Sequence, residues 1–119
     1  MSSKRTSAVA DQRLFRQHAP VFAALSDETR LSLLATLSAG VPCSISQLTA
    51  DSKMSRQAIT KHLRVLETAG LVRAETAGRE RRFQLEPRPL GEARAYLDLV
   101  SQQWDEALTQ LKKLVETDE

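Results

Sequence analysis

Apolar residues in this chain follow helical spacing over most of its length and alternate over one short stretch only. A first helical stretch runs from about Asp11 to Leu25, and Pro20 is expected to start a second helix there, because proline suits a first turn and breaks an interior one. Ser26 and Asp27 offer caps for a helix from Glu28 to about Ser38, with Leu31, Leu34, Ala35 and Leu37 facing inward. Ala39, Gly40, Val41 and Pro42 end it. Ile45 reads as a short extended residue, and Ser46 as the cap of a brief helix from Gln47 to about Asp51. After the turn Asp51-Ser52-Lys53-Met54, Ser55 caps a longer helix to Ala69, where Gly70 tolerates the left-handed conformation that stops many helices. Strands of about Leu71 to Glu75 and Arg81 to Leu85 then flank a tip of Thr76-Ala77-Gly78-Arg79-Glu80. Pro87 and Pro89 forbid a continuing strand and lead into a last helix from about Leu90 to Glu116.

The order helix, helix, helix-turn-helix, hairpin, helix predicts a mainly α fold with a small β-hairpin wing, a winged helix-turn-helix. In the helix from Ser55 to Ala69, Ala58, Ile59, Leu63 and Leu66 keep the spacing of a buried face. The opposite face presents Arg56, Gln57, Thr60, Lys61 and, a turn later, Arg64. A recognition helix needs this division: one side packs on its neighbour while the first turns carry side chains into the major groove. Arginine bonds guanine O6 and N7, and glutamine bonds adenine N6 and N7. Ser55, Thr60 and Lys61 suit phosphates, which set register without reading sequence. In the hairpin Arg81 and Phe83 share one face and Arg82 the other, so Arg79 at the tip is the best placed for a phosphate or the minor groove, with Arg81 beside it.

Charge supports this placement. The net charge of +2 says little, but residues 53 to 82 hold eight bases against three acids, and residues 92 to 119 hold three bases against seven acids. Clustered positive charge is the electrostatic footprint of nucleic-acid binding, although an ordinary solvated face has the same composition. At 119 residues the chain is expected to form one domain over residues 11 to 119, preceded by a flexible arm over residues 1 to 10. No apolar run is long enough to span a bilayer and Met1 to Ala8 lacks a signal-peptide core, so a cytoplasmic protein without membrane contact is expected.

The run Phe22-Ala23-Ala24-Leu25-Ser26-Asp27-Glu28-Thr29-Arg30-Leu31 resembles the opening motif of ArsR-type (ArsR/SmtB) winged helix-turn-helix regulators. So does Ser55-Arg56-Gln57-Ala58-Ile59-Thr60-Lys61-His62-Leu63, continuing through Leu66 and Ala69-Gly70-Leu71-Val72. The likeness spans about residues 14 to 115 and implies a dimeric repressor on an inverted-repeat operator of double-stranded DNA. Many members of that family sense metals through a Cys-x-Cys pair before the recognition helix, or through Asp and His in the last helix. Here the first stretch, Ser46 to Asp51, has no cysteine, and the second, Glu92 to Glu119, has no histidine. Cys43 is the only cysteine, so it has no partner thiol in its own chain for a redox switch. Neither metal nor cofactor is expected, His18 reads as a surface residue, and His62 reads as a packing or phosphate-binding residue. A metal- or redox-responsive sensor with unrecognised ligands remains the alternative, and any small-molecule inducer is unspecified.

In the last helix Ala93, Leu97, Val100, Trp104, Ala107, Leu111 and Leu114 recur at alternating spacings of four and three, a heptad seam. Tyr96, Leu108 and Val115 widen it. The resemblance implies dimerisation through this helix and the first, giving Phe15, Phe22, Tyr96, Leu97, Val100, Trp104, Leu108 and Leu111 as expected interface residues. An enzyme is not expected, since no phosphate loop and no nucleophile with a base can be assigned. A protein-interaction module using the basic face for an acidic partner is the remaining class.

Overall fold

The computed structural model describes residues 12–50 and 52–117, so the expected N-terminal arm and the Asp11 start lie outside the described residues. Five helices and three strands follow in the order α1 (Gln12–Leu25), α2 (Glu28–Leu37), β1 (Cys43–Ser44), α3 (Ile45–Ala50), α4 (Arg56–Thr68), β2 (Val72–Ala77), β3 (Glu80–Leu85) and α5 (Pro87–Thr117). The strands form one antiparallel sheet in the order β1-β3-β2. Cys43 sits opposite Phe83, and Val72 opposite Leu85. This is the winged helix-turn-helix that the sequence predicts.

One aliphatic core joins the elements. Val21 and Ala24 from α1, Leu33, Leu34 and Leu37 from α2, Leu48 from α3, and Ile59, Leu63 and Leu66 from α4 all close on Leu71, Val72, Phe83 and Ala93. Phe83 is the only aromatic among these buried residues. Burying such a side chain contributes roughly 1.5–3 kcal/mol, so the helix-turn-helix and the wing are held as one unit. Among the described residues no helix is long and apolar enough to cross a membrane.

Several expected boundaries change. Pro20 lies inside α1 instead of starting a new helix. Core residues stand on both sides of it, with His18, Val21 and Ala24 all buried, and their packing outweighs the backbone hydrogen bond that proline removes. In α2 the inward residues are Leu33, Leu34 and Leu37, whereas Leu31 is 49% exposed and Ala35 is exposed. A helix with apolar residues nearly all round fits two faces, and the closure on α4 selects this one. For α3 the cap is Ser44 and not Ser46: the Ser44 hydroxyl accepts from Gln47 N–H at 3.1 Å while Gln47 Oε1 accepts from Ser44 N–H at 2.8 Å. That reciprocal capping box places Ile45 in the helix and not in a strand. The last helix begins at Pro87, because the first helical turn needs none of the N–H groups that Pro87 and Pro89 lack.

The wing turns through two residues, Gly78 and Arg79, between the paired Ala77 and Glu80. Gly78 has φ +66° while Arg79 stays at negative φ, the sign pattern of a tight type II′ hairpin turn.

Candidate nucleic-acid interface

Helix α4 is fixed at both ends. Ser55 accepts from Ala58 N–H at 3.1 Å, supplying the N-cap. At the other end Gly70 N–H donates to Glu67 O at 3.0 Å and Leu71 N–H to Leu66 O at 2.9 Å, with Gly70 at φ +78°. This paired arrangement is a Schellman closure, and both Leu66 and Leu71 are fully buried. With Ile59, Leu63 and Leu66 locked inward, the outer face is set by helical geometry. Arg56, Gln57, Lys61 and Arg64 are exposed there, and Thr60 is half-buried beside them.

The structure sorts the predicted DNA-binding residues by what they already touch. Arg56 donates to Ser46 Oγ at 3.0 Å, and Thr60 Oγ1 donates to the Arg56 carbonyl at 2.8 Å. Arg81 is tied to Glu67 at 3.2 Å and lies over the Phe83 ring at 5.5 Å. Elsewhere in the basic block, Arg82 pairs with Glu80 at 3.6 Å, and Arg73 lies 3.8 Å from Glu75 and 3.7 Å from Glu86. By contrast Lys61 and Arg64 on α4, and Arg79 at the wing tip, have no ion pair among the described residues. Their charge is therefore not spent on a carboxylate among the described residues.

A cluster behind α4 escaped the sequence reading. Arg30 donates from Nε to Ala24 O at 2.8 Å and from Nη2 to Ala23 O at 3.2 Å, and its Nη1 lies 3.3 Å from His62 Nδ1. Asp27, the N-cap of α2, accepts from Arg30 N–H at 3.0 Å and lies 3.7 Å from His62 Nδ1. One guanidinium therefore joins the end of α1, the start of α2 and the middle of α4. His62, itself on α4, faces Arg30 and Asp27, the packing role being one of the two expected of it. No short-range signal reveals the cluster, since Arg30 and His62 are 32 residues apart. Replacing Arg30 by Met is expected to lower stability by about 1–3 kcal/mol, through unsatisfied carbonyls and lost charge-assisted bonds. Chemical denaturation measures this, and a change below about 0.5 kcal/mol, the level of an ordinary surface substitution, contradicts it.

The Asp27 carboxyl is held below its ordinary value of 3.8, chiefly by the backbone hydrogen bond from Arg30 and then by the nearby His62 and Arg30 charges. A depressed carboxylate stabilises the fold above its unfolded value and loses that contribution as pH falls through the folded value. Asp27→Asn keeps an acceptor at the cap but cannot titrate, so the loss of stability below about pH 4 should become shallower. An unchanged acid limb in thermal melts at pH 2 to 5 contradicts this.

His18 is not at the surface: it is 7% exposed and stacks on Tyr96 at 4.7 Å. The ring contact ties α1 to α5, with Phe22 lying 6.3 Å from the same Tyr96. Of the expected interface residues, Phe22, Tyr96 and Val100 are half-buried within the chain, whereas Phe15, Leu97, Trp104, Leu108 and Leu111 are exposed. Helix α5 is 31 residues long, about 46 Å at 1.5 Å per residue, and extends the molecule to 69 Å in its long dimension. Among the described residues its last buried one is Ala93. Cys43 is half-buried in β1, with Sγ 3.4 Å from the Val41 carbonyl.

A sequence family described as a helix-turn-helix domain matches residues 25–75. The HTH-type transcriptional regulator Rv2034 of Mycobacterium tuberculosis is 38% identical over 95 residues, covering 80% of this chain and 85% of that protein. The solved structure described as an ArsR-like transcriptional regulator from Rhodococcus sp. RHA1 superposes with a TM-score of 0.84 at 36% identity, covering 90% of this chain and 97% of that one. The homodimeric winged helix-turn-helix DNA-binding domain Mb0332 from Mycobacterium bovis superposes with a TM-score of 0.60 at 26% identity, covering 83% of this chain and 88% of that one.

Proposed function

The chain belongs to the ArsR-like helix-turn-helix transcriptional regulators, and from that premise we propose that it acts as a homodimeric repressor on an inverted-repeat operator. The observation that carries this reading is the outer face of α4, where Gln57, Lys61 and Arg64 are exposed on a helix capped at both ends. In this reading Arg56 and Gln57 meet base edges, Arg56 after leaving Ser46. Ser55, Thr60, Lys61 and Arg64 hold phosphates, as does Arg79 from the wing. Arg81 has the lesser part, because it must leave Glu67 to reach DNA.

Dimerisation is supported by the apolar stripe of α5, exposed at Leu97 and at Trp104, Leu108, Leu111, Leu114 and Val115, and by the homodimeric Mycobacterium bovis relative. Phe15, Leu97, Trp104, Leu108 and Leu111 would meet the second copy, while Phe22, Tyr96 and Val100 back that surface from within the chain. Cytoplasmic operation follows from the same reading. Binding is proposed to be independent of metal: His62 is engaged with Arg30, His18 is stacked on Tyr96, and Cys43 is the only thiol. Among the described residues no three His, Cys, Asp or Glu side chains come together.

Selection of bound duplexes from a random pool tests the proposal. It should return an inverted repeat whose half-sites are centred about one helical turn, or a multiple of it, apart, as two linked recognition helices require. Recovery of no preferred sequence, or of single unpaired half-sites, overturns it.

A further inference from the structure

Between α1 and the recognition helix runs an open groove of about 670 Å³, with Pro20 and Ala23 on one wall and Val65 and Ala69 on the other. Its volume lies in the range of small-molecule sites, and its walls are mainly apolar, as such sites are. Three cations border it, Arg30, Lys61 and Arg64. Arg30 is spent on the Ala23 and Ala24 carbonyls and on His62. Lys61 and Arg64 have no ion pair among the described residues. The same two side chains also border the outward face of α4, beside Arg56, Gln57 and Thr60. They therefore stand on a ridge, with the proposed DNA face on one side and an apolar trough on the other.

Phosphate contact accounts for the two charges but not for the trough, since a phosphodiester has no use for an apolar floor. A molecule with an apolar body and one anionic head uses both. From this we infer that the groove binds a small amphiphilic carboxylate, whose head pairs with Lys61 and Arg64 and thereby withdraws them from DNA. The apolar wall excludes water on one side of those charges and strengthens their attraction to the head. The inference rests on the reading of Lys61 and Arg64 as phosphate contacts. Coupling is reciprocal: a ligand that weakens DNA binding must itself be weakened by DNA to the same factor.

The full-length protein is tested with decanoate below its micelle concentration and with decanol as the uncharged counterpart. Direct binding is read first, without DNA, by displacement of the fluorescent amphiphilic anion anilinonaphthalene sulfonate. Decanoate should displace the dye at one site per chain, and decanol much more weakly. Saturating decanoate should then lower affinity for duplex DNA by about tenfold, within the usual range of linked sites. Ala23→Phe, which fills the trough from an exposed position, should keep DNA affinity and lose the decanoate effect; Thr68→Phe does the same from the other wall. Equal displacement by decanol, DNA affinity within twofold at saturating decanoate, or an undiminished effect in both variants overturns the inference. So does sedimentation of both variants as monomers, which would assign the groove to the second copy. If the unliganded protein fails to bind DNA at all, the functional reading falls, while dye displacement still decides whether the groove takes the anion.

Discussion

Trp104→Asp should convert the protein from dimer to monomer and reduce operator affinity by two orders of magnitude or more. Trp104 is 61% exposed on the single chain, at the middle of a stripe in which Leu97, Leu108, Leu111, Leu114 and Val115 are all more than half exposed. A contiguous apolar surface of this kind marks an interaction site, and tryptophan is over-represented among residues whose loss costs an interface 2 kcal/mol or more. An aspartate there must be buried without a partner or keep the two helices apart. The chain itself should survive, because Trp104 lies well past Ala93, where α5 leaves the core. Sedimentation should find a monomer, and far-UV circular dichroism an unchanged helical content. Half of the contacts to an inverted repeat are then lost, together with the effective concentration that linking two modules supplies. A dimeric variant that binds normally contradicts this account of α5.

The second large effect is expected from removing Lys61 and Arg64 together. Each copy loses two phosphate contacts, so a dimer loses four, and the slope of log affinity against log salt should become shallower by about four. The weakening should be nearly the same on operator and on unrelated duplex, since phosphates carry no sequence information. Gln57→Ala gives the contrasting pattern: the salt slope is kept and discrimination falls at one base pair by about 1–3 kcal/mol. These side chains are exposed, so neither variant should unfold. If the double variant changes specificity but not salt dependence, the phosphate assignment is wrong.

The contrast between α4 and its surroundings explains what could be read from the chain. The start, end and inward face of α4 were legible because each signal is local: Ser55 before the first turn, Gly70 after the last, and aliphatic residues at helical spacing between them. The wing was legible for the same reason, through Gly78 and the alternation around Phe83. Packing decided the rest. The inward face of α2 is ambiguous in the sequence because Leu31 and Ala35 offer an apolar face about 160° around the helix from Leu33, and only the closure on α4 chooses between them. Pro20 reads as a break because the core contacts that keep α1 helical past it, from Val21 and Ala24, are not local. The cap of α3 was a missed local signal, since Ser44 and Gln47 have capping-box spacing in plain view. The Arg30 cluster is out of reach of the sequence, because Arg30 on α2 meets α1 and α4 only through the fold.

Helix α5 sits between these cases. Its seam is visible in the sequence, and the structure adds that the chain's own domain leaves most of it uncovered.

The central claim is that two copies of the chain grip one duplex through paired α4 helices. Sedimentation of the protein with a selected inverted-repeat duplex, at a series of salt concentrations, tests it most directly. Two chains per duplex at every salt concentration, with log affinity falling linearly against log salt and a slope of about −5 or steeper, is the predicted result. One chain per duplex, or affinity indifferent to salt, would contradict it.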